Sequence, residues 1–347
     1  MPMNITVCGA GPAGLGMAAV LISTGHAVTL YETPEYAAKL APLEEKHVIS
    51  SVGRVPGDWP LQGITTDPAE ALRSAEAVFV VMHAAAHKKL GELFAPYTRK
   101  DQLFVLCPGY IGGTLELTAS LRAHGVRELP ACIEASSLPI TANMDGTAVK
   151  IKAWKRGFSI YCPAALRDHA VLAWFQQQFA PVSCTESPIE PGLNEINIVV
   201  HCVNTLLNPS RVDGGQKWLF YREGLSPAVI RIIEAVDDER TRLERALGLV
   251  PRRLTDMLYE FYGDQGMARP EDGLYTQLST FGSFATVPGP LSWDHRFISE
   301  DLRCGIVPMY HLGEQAGVPM PATRAVIELA SLITGRDELN EGRRVTL

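Results

Sequence analysis

The chain has 347 residues, 46% hydrophobic and 20% charged, with a formal net charge of -7; this composition suits two globular domains and excludes a disordered or fibrous chain. Its 31 Lys and Arg are outnumbered by 38 Asp and Glu and form no block, so no electrostatic footprint for nucleic acid is present. Seven scattered cysteines without a Cys-x-x-Cys pair, no basic leader and no apolar run near the ~18 residues of a membrane span predict a cytoplasmic chain with reduced thiols and no membrane contact.

Residues 3–7 form a short β-prone run that ends in Cys8-Gly9-Ala10-Gly11-Pro12-Ala13-Gly14. A helical stretch follows over 15–24, Gly25-His26 stops it, and 27–31 reads as a second strand with Glu32 at its carboxyl end. In this βαβ unit Gly9 permits a tight turn, Gly11 lets backbone approach a pyrophosphate, and Gly14 lets the helix pack closely on the strand; Pro12 and Ala13 in the same turn are expected to bind the cofactor with them. Glu32 would accept hydrogen bonds from the adenosine ribose and repel a 2′-phosphate, which favours NAD over NADP. The same glycine pattern also serves FAD, although no second flavin motif follows.

Further strands are predicted at 77–82, 103–106 and 131–133, alternating with helices in the rhythm of a doubly wound parallel sheet. Residues 149–153 and 158–162 read as a closing hairpin. Ser187-Pro188 and Pro191-Gly192 mark the junction beyond which strand patterns vanish. The predicted fold is therefore α/β: a Rossmann-type dinucleotide-binding domain over 1–187, then an all-α domain over 188–347. In the latter, helices are predicted over 194–207, from the Ser226-Pro227 cap to Gly248, and over 322–332 before Gly335. The charged residues from Arg336 to Arg344 read as a solvated tail.

The helix over 194–207 is apolar around most of its circumference, as a buried helix is. Its exceptions lie on one line: Asn194, Asn197, His201, Asn204 and Asn208 are spaced 3, 4, 3 and 4 apart and share a sector of roughly 80°. Buried amides without partners cost about 1–3 kcal/mol each, so the stripe is either a structural network or the wall of a substrate site. A lone helical histidine is more often structural; the pattern alone leaves both readings open.

Asn197-x-x-x-His201-x-x-Asn204-x-x-x-Asn208-Pro209, Phe220-Tyr221-x-x-Gly224, Asp238-Glu239-Arg240 and Arg296-Phe297-x-x-Glu300-Asp301 carry a resemblance to the NAD/NADP octopine/opine dehydrogenase family. Nearer the N-terminus it extends to His87, to Pro108-Gly109-Tyr110-x-Gly112-Gly113-x-Leu115-Glu116 and to Glu134-x-x-x-Leu138-Pro139. It implies an oxidoreductase acting on CH–NH donors, which condenses an amino acid with a 2-oxo acid and reduces the imine with NAD(P)H. His201 matches the family's general acid/base and Asp301 the carboxylate that orients it. Arg296 matches the residue that pairs with the oxo-acid carboxylate, while Glu134 and Asn204 are expected to bind substrate. Relatives often have proline where this chain has Met82-His83, and Val-Pro with an aromatic where it has Leu302-Arg303-Cys304. The partner amino acid is accordingly left open.

His83 and His87 are four apart, but no third ligand accompanies them, and no metal site is expected. Two other readings stand beside the opine dehydrogenase one: an FAD-dependent oxidoreductase, and a non-catalytic NAD-binding sensor. The oligomeric state is open, a homodimer among the options.

Overall fold

The computed structural model describes residues 2–346. The chain divides into two compact units: residues up to Gly109 together with Gly113–Pro188, and Tyr110–Gly112 together with the chain from Ile189 onward. The three-residue segment after the fourth predicted strand thus departs from its sequence neighbours and joins the helical unit.

The first unit holds β1 (Asn4–Cys8), β2 (Ala27–Tyr31), β3 (Val48–Gly53), β4 (Gly57–Pro60), β5 (Gly63–Thr65), β6 (Ala77–Val80), β7 (Leu103–Leu106), β8 (Ala131–Ala135), β9 (Ile140–Asp145), β10 (Ala148–Trp154), β11 (Ser159–Tyr161) and β12 (Ser183–Thr185). Eight of these form one sheet in the order β12-β11-β8-β7-β6-β1-β2-β5. All its pairings are parallel except β11 with β8. Every residue of β6 and β7 is buried, which requires strands apolar on both faces and explains their unbroken Val, Leu, Phe and Ala content.

The other four strands make a smaller sheet, ordered β4-β3-β10-β9. Its β10 pairs in parallel with β3 and antiparallel with β9, while β11 pairs with β8 and β12. The hairpin expected between 149–153 and 158–162 is therefore absent. Val149, Ile151 and Ala153 are buried while Lys150 and Lys152 are exposed, so the alternation marked a strand correctly but not its partner. The partner follows from the helix Pro12–Ser23, whose residues Gly14 to Leu21 are all buried. A helix apolar on every side must be covered on every side. A Cβ on Gly16 would lie 2.8 Å from Ile140 Cδ1 and 3.2 Å from Ala142 Cβ, which places β9 directly against it.

The second unit is helical throughout, with Asn197–Leu206, Pro227–Ala246 and Pro321–Thr334 among its helices. The first begins three residues later than expected, because the Glu195 carboxylate accepts the Asn197 N–H (3.1 Å) and starts the helix there. Ser226 Oγ accepts the Val229 N–H at the start of Pro227–Ala246, and Gly335 closes Pro321–Thr334 in the left-handed region. Arg240 is fully buried and is neutralised by Asp237 and Glu244, both at 2.7 Å; it also donates to Leu193 O at 3.1 Å. Glu239 caps the N-terminus of Pro321–Thr334 through the Ala322 and Thr323 N–H groups. These motif residues hold the helices in place around the one that carries His201.

The C-terminal segment is not a solvated tail. Glu338–Glu341 is a helical turn, and the fully buried Glu338 accepts two hydrogen bonds from Arg303, at 2.6 and 3.0 Å. Arg343 is buried and donates to Ile111 O. The density of charge suggested solvent, but opposite charges pair here and carry the backbone inward with them. Among the described residues no helix is long and apolar enough to cross a membrane.

Gly14 is the tightest of the described glycines, since a Cβ there would sit 1.8 Å from Gly9 O. Gly14→Ala is expected to destabilise the first unit by about 1–3 kcal/mol, as overpacking does, and to weaken dinucleotide binding. Thermal melts and NADH fluorescence titration check this; an unchanged melt and affinity would contradict it.

Candidate active site

The glycine turn has the shape expected of it. Gly9 has φ +115°, in the region L side chains avoid, and a Cβ on it would meet Val81 O at 2.4 Å. Gly11 is extended and caps the helix, and a Cβ there would meet nothing within 4 Å. Open space at the second glycine and a helix start without a side-chain cap give a phosphate both room and first-turn N–H donors. Glu32 is not a solvated acid: it is 1% exposed and accepts hydrogen bonds from the N–H groups of Ala10 and Thr33, both at 3.0 Å. Lys39 Nζ lies 3.3 Å from the same carboxylate. The turn and its acid form one hydrogen-bonded piece that fits a dinucleotide.

In the second unit, two distant segments meet. His201 Nδ1 lies 3.1 Å from Asp301 Oδ2, with His201 5% exposed and Asp301 fully buried. The other carboxylate oxygen, Oδ1, accepts the Tyr110 hydroxyl at 2.6 Å. His201 Nε2 lies 3.0 Å from the Tyr221 hydroxyl. The imidazole stacks on Phe297, centroids 4.0 Å apart, and the Arg296 guanidinium lies 5.1 Å from the centre of that ring. Arg296 pairs with Glu300 at 3.3 Å and keeps 39% of its side chain exposed.

Burial by itself would raise the Asp301 pKa; the adjacent His201, then Arg296 and the Tyr110 hydroxyl, outweigh it and hold the carboxyl below its ordinary range. Tyr110 and Tyr221 are pushed the other way, chiefly by burial and, at Tyr110, by the Asp301 charge. Both phenols therefore stay protonated and can donate. An ionised Asp301 fixes the imidazole with its proton on Nδ1, leaving the Nε2 lone pair towards the Tyr221 hydroxyl.

The local fold explains how Asp301 arrives. Residues Asp301–Ile306 form a π-helix, a rare widened turn often found at functional sites. Pro308 has no N–H to offer Cys304 O, and that carbonyl accepts the Ile111 N–H instead, at 3.1 Å. The same bond docks Tyr110–Gly112 within this unit and so delivers the Tyr110 hydroxyl.

Two residues expected to bind substrate make hydrogen bonds within their own units. Asn204 is fully buried; its Nδ2 donates to Phe220 O at 3.0 Å and its Oδ1 accepts from Asn208 at 3.1 Å. Asn208 donates in turn to Gly224 O, so this part of the stripe is the structural network and anchors the loop that carries Tyr221. Glu134, in the first unit, is also fully buried and accepts the Thr114 N–H (2.8 Å) at the start of the helix Gly113–Ala123. A Cβ on Gly109 would fall within 2.4 Å of its carboxylate, which is why glycine stands there. The sequence motifs assign no role to Tyr110 and Tyr221, because nothing in periodicity distinguishes a phenol aimed at a carboxylate or an imidazole from a core tyrosine. Among the described residues no group of three or more His, Cys, Asp or Glu could hold a metal ion.

A glycine-turn sheet unit followed by a helical unit with a buried histidine–aspartate pair is a layout suited to nicotinamide-dependent dehydrogenases. Residues 184–334 match the family described as NAD/NADP octopine/nopaline dehydrogenase, alpha-helical domain, and the resemblance to the octopine/opine dehydrogenase family is borne out. An opine dehydrogenase of Arthrobacter sp. (strain 1C) is 28% identical over 339 residues, covering 97% of this chain and 92% of the relative. Octopine dehydrogenase solved with NADH and L-arginine superposes with a TM-score of 0.77 at 18% identity, over 96% of this chain and 90% of that one. Yersinopine dehydrogenase solved with NADP+ gives 0.78 at 16% identity, over 96% and 91%. These superpositions establish the shared α/β fold with its helical second unit.

Asp301 has a folded-state pKa below its unfolded value. Its contribution to stability is therefore complete above about pH 4 and is lost as the pH falls through the lower folded value. Asp301→Asn is expected to cost about 1.5–3 kcal/mol at pH 7, with the gap to wild type narrowing towards pH 3. Urea unfolding at both pH values measures it, and a constant gap would refute the assignment.

Proposed function

We propose that this chain is an NAD(P)H-dependent opine dehydrogenase, an oxidoreductase acting on CH–NH donors that condenses an amino acid with a 2-oxo acid and reduces the imine. The observation that carries this reading is the His201–Asp301 hydrogen bond of 3.1 Å, buried in the unit that matches the family.

The turn from Gly9 to Gly14 would hold the pyrophosphate of the dinucleotide and Glu32 the adenosine ribose. When bound, the dinucleotide supplies the hydride that reduces the imine carbon. His201 holds its Nδ1 proton against Asp301 and exchanges a proton with the substrate at Nε2, acting as general acid in imine reduction and as general base in the reverse direction. Asp301 stays ionised and stabilises the imidazolium, while Tyr110 fixes the carboxylate. Tyr221 occupies the hydrogen-bonding position at Nε2 and holds the ring in place before substrate arrives. Arg296 offers its exposed planar fork to the 2-oxo acid carboxylate, and a point charge such as Lys would not replace it there.

The buried Glu32 supports NADH over NADPH, because a 2′-phosphate would have to approach a carboxylate that already accepts two backbone hydrogen bonds. We expect the wild type to bind NADH at least about tenfold more tightly than NADPH, a difference of about 1.4 kcal/mol. Glu32→Gln should weaken NADH binding and shrink that ratio. Equal affinities in the wild type would overturn the preference.

The activity is tested by NADH oxidation with panels of amino acids and 2-oxo acids, alone and in pairs. Turnover is expected only when both are present, and His201→Ala should lower it about 100- to 10,000-fold. Turnover with the oxo acid alone would redirect the reading to a 2-hydroxyacid dehydrogenase, and tight NADH binding without turnover on any pair would redirect it to a sensor.

A further inference from the structure

The His201–Asp301 pair lies across a helix–helix contact that also includes Ile198 and Gly305. Ile198 is three residues before His201 on Asn197–Leu206, so both side chains share one face of that helix. Gly305 is four residues after Asp301, within the same turn of the π-helix. A Cβ placed on Gly305 would lie 2.4 Å from Ile198 Cγ2 and 2.8 Å from Ile198 Cβ. Ordinary carbon contacts are about 3.5–4.0 Å, so the two helices are closer here, by roughly an ångström, than any residue with a side chain permits.

The clash has no easy outlet. Ile198 is fully buried and β-branched, with a stiff χ1. Opposite it, the π-helix is tied back by Ile111 N–H to Cys304 O (3.1 Å) and by Arg343 N–H to Arg303 O (2.8 Å).

We infer that Gly305 is a positioning residue for the acid/base pair: its missing side chain sets the separation of the two helices that brings Asp301 within hydrogen-bond reach of His201. A methyl group there moves the helices apart and takes the 3.1 Å hydrogen bond beyond the roughly 3.5 Å at which such a bond ceases to count. The inference rests on the proposed role of His201 and Asp301, but its test does not require the proposed substrates.

The experiment compares wild type, Gly305→Ala, Asp301→Asn and the double variant Ile198→Ala/Gly305→Ala. The His201 ring is titrated by NMR of imidazole-labelled protein, with His201→Asn identifying its signal. Gly305→Ala should lower the His201 titration midpoint towards that of Asp301→Asn, because the imidazolium loses its carboxylate partner. The double variant, which removes the obstructing branched side chain, should return the midpoint towards wild type. In turnover, Gly305→Ala should lower kcat about 100-fold, the scale of a 1 Å misplacement, while KM for the dinucleotide is retained. Where Gly305→Ala alone does not fold, recovery of fold and titration in the double variant supports the same account. A wild-type midpoint in folded Gly305→Ala, or a folded double variant that fails to recover it, would overturn the inference. Absence of turnover in the wild type would count against the proposed reaction and leave the titration result standing.

Discussion

An ionised carboxylate with no access to water is the constraint around which the helical unit is organised. Moving such a charge out of solvent costs several kcal/mol unless partners replace the lost hydration, and Asp301 obtains them from three directions: the His201 imidazole, the Tyr110 hydroxyl and the nearby positive charge of Arg296. Each comes from a different stretch of chain. The π-helix, Pro308 and the Ile111–Cys304 hydrogen bond are the backbone arrangements that let those stretches converge.

The first unit solves a different problem by related means. Glu32 is also a buried acid, but its partners are two backbone N–H groups and one exposed lysine, which hold it beside the glycine turn. The helix behind the turn is covered on all sides, with the small sheet supplying the side the large one does not reach. Both units place a carboxylate where it is useful by satisfying it locally, and both depend on glycines at the closest approaches.

Much of this was legible in the sequence, because short-range rules govern it. The glycine turn, the strand and helix rhythm of the first unit, the Ser226 cap and the Gly335 stop are each set by residues within a turn of one another. His201 could be placed on a polar stripe, but the stripe alone did not separate a substrate wall from a structural network; in the structure His201 pairs with Asp301, while Asn204 and Asn208 anchor a loop. The failures share a cause. The partner of β10 and the docking of Glu338 on Arg303 depend on contacts between residues far apart in sequence, where charge and alternation state what a residue needs and not where it finds it. Tyr110 was hidden for the same reason, being 191 positions from the oxygen it serves.

That distance bears on how the chain could be dismantled or recombined. Tyr110 is encoded well before the point at which the helical unit resumes, yet it belongs to that unit. A fragment beginning at residue 189 would keep the histidine and the aspartate and lose the phenol that shares the aspartate's charge. Any exchange of first units between relatives would import a foreign three-residue strap into the acid's surroundings. The modularity suggested by two separate folds is therefore incomplete, and inheritance of the two halves is coupled through a single loop.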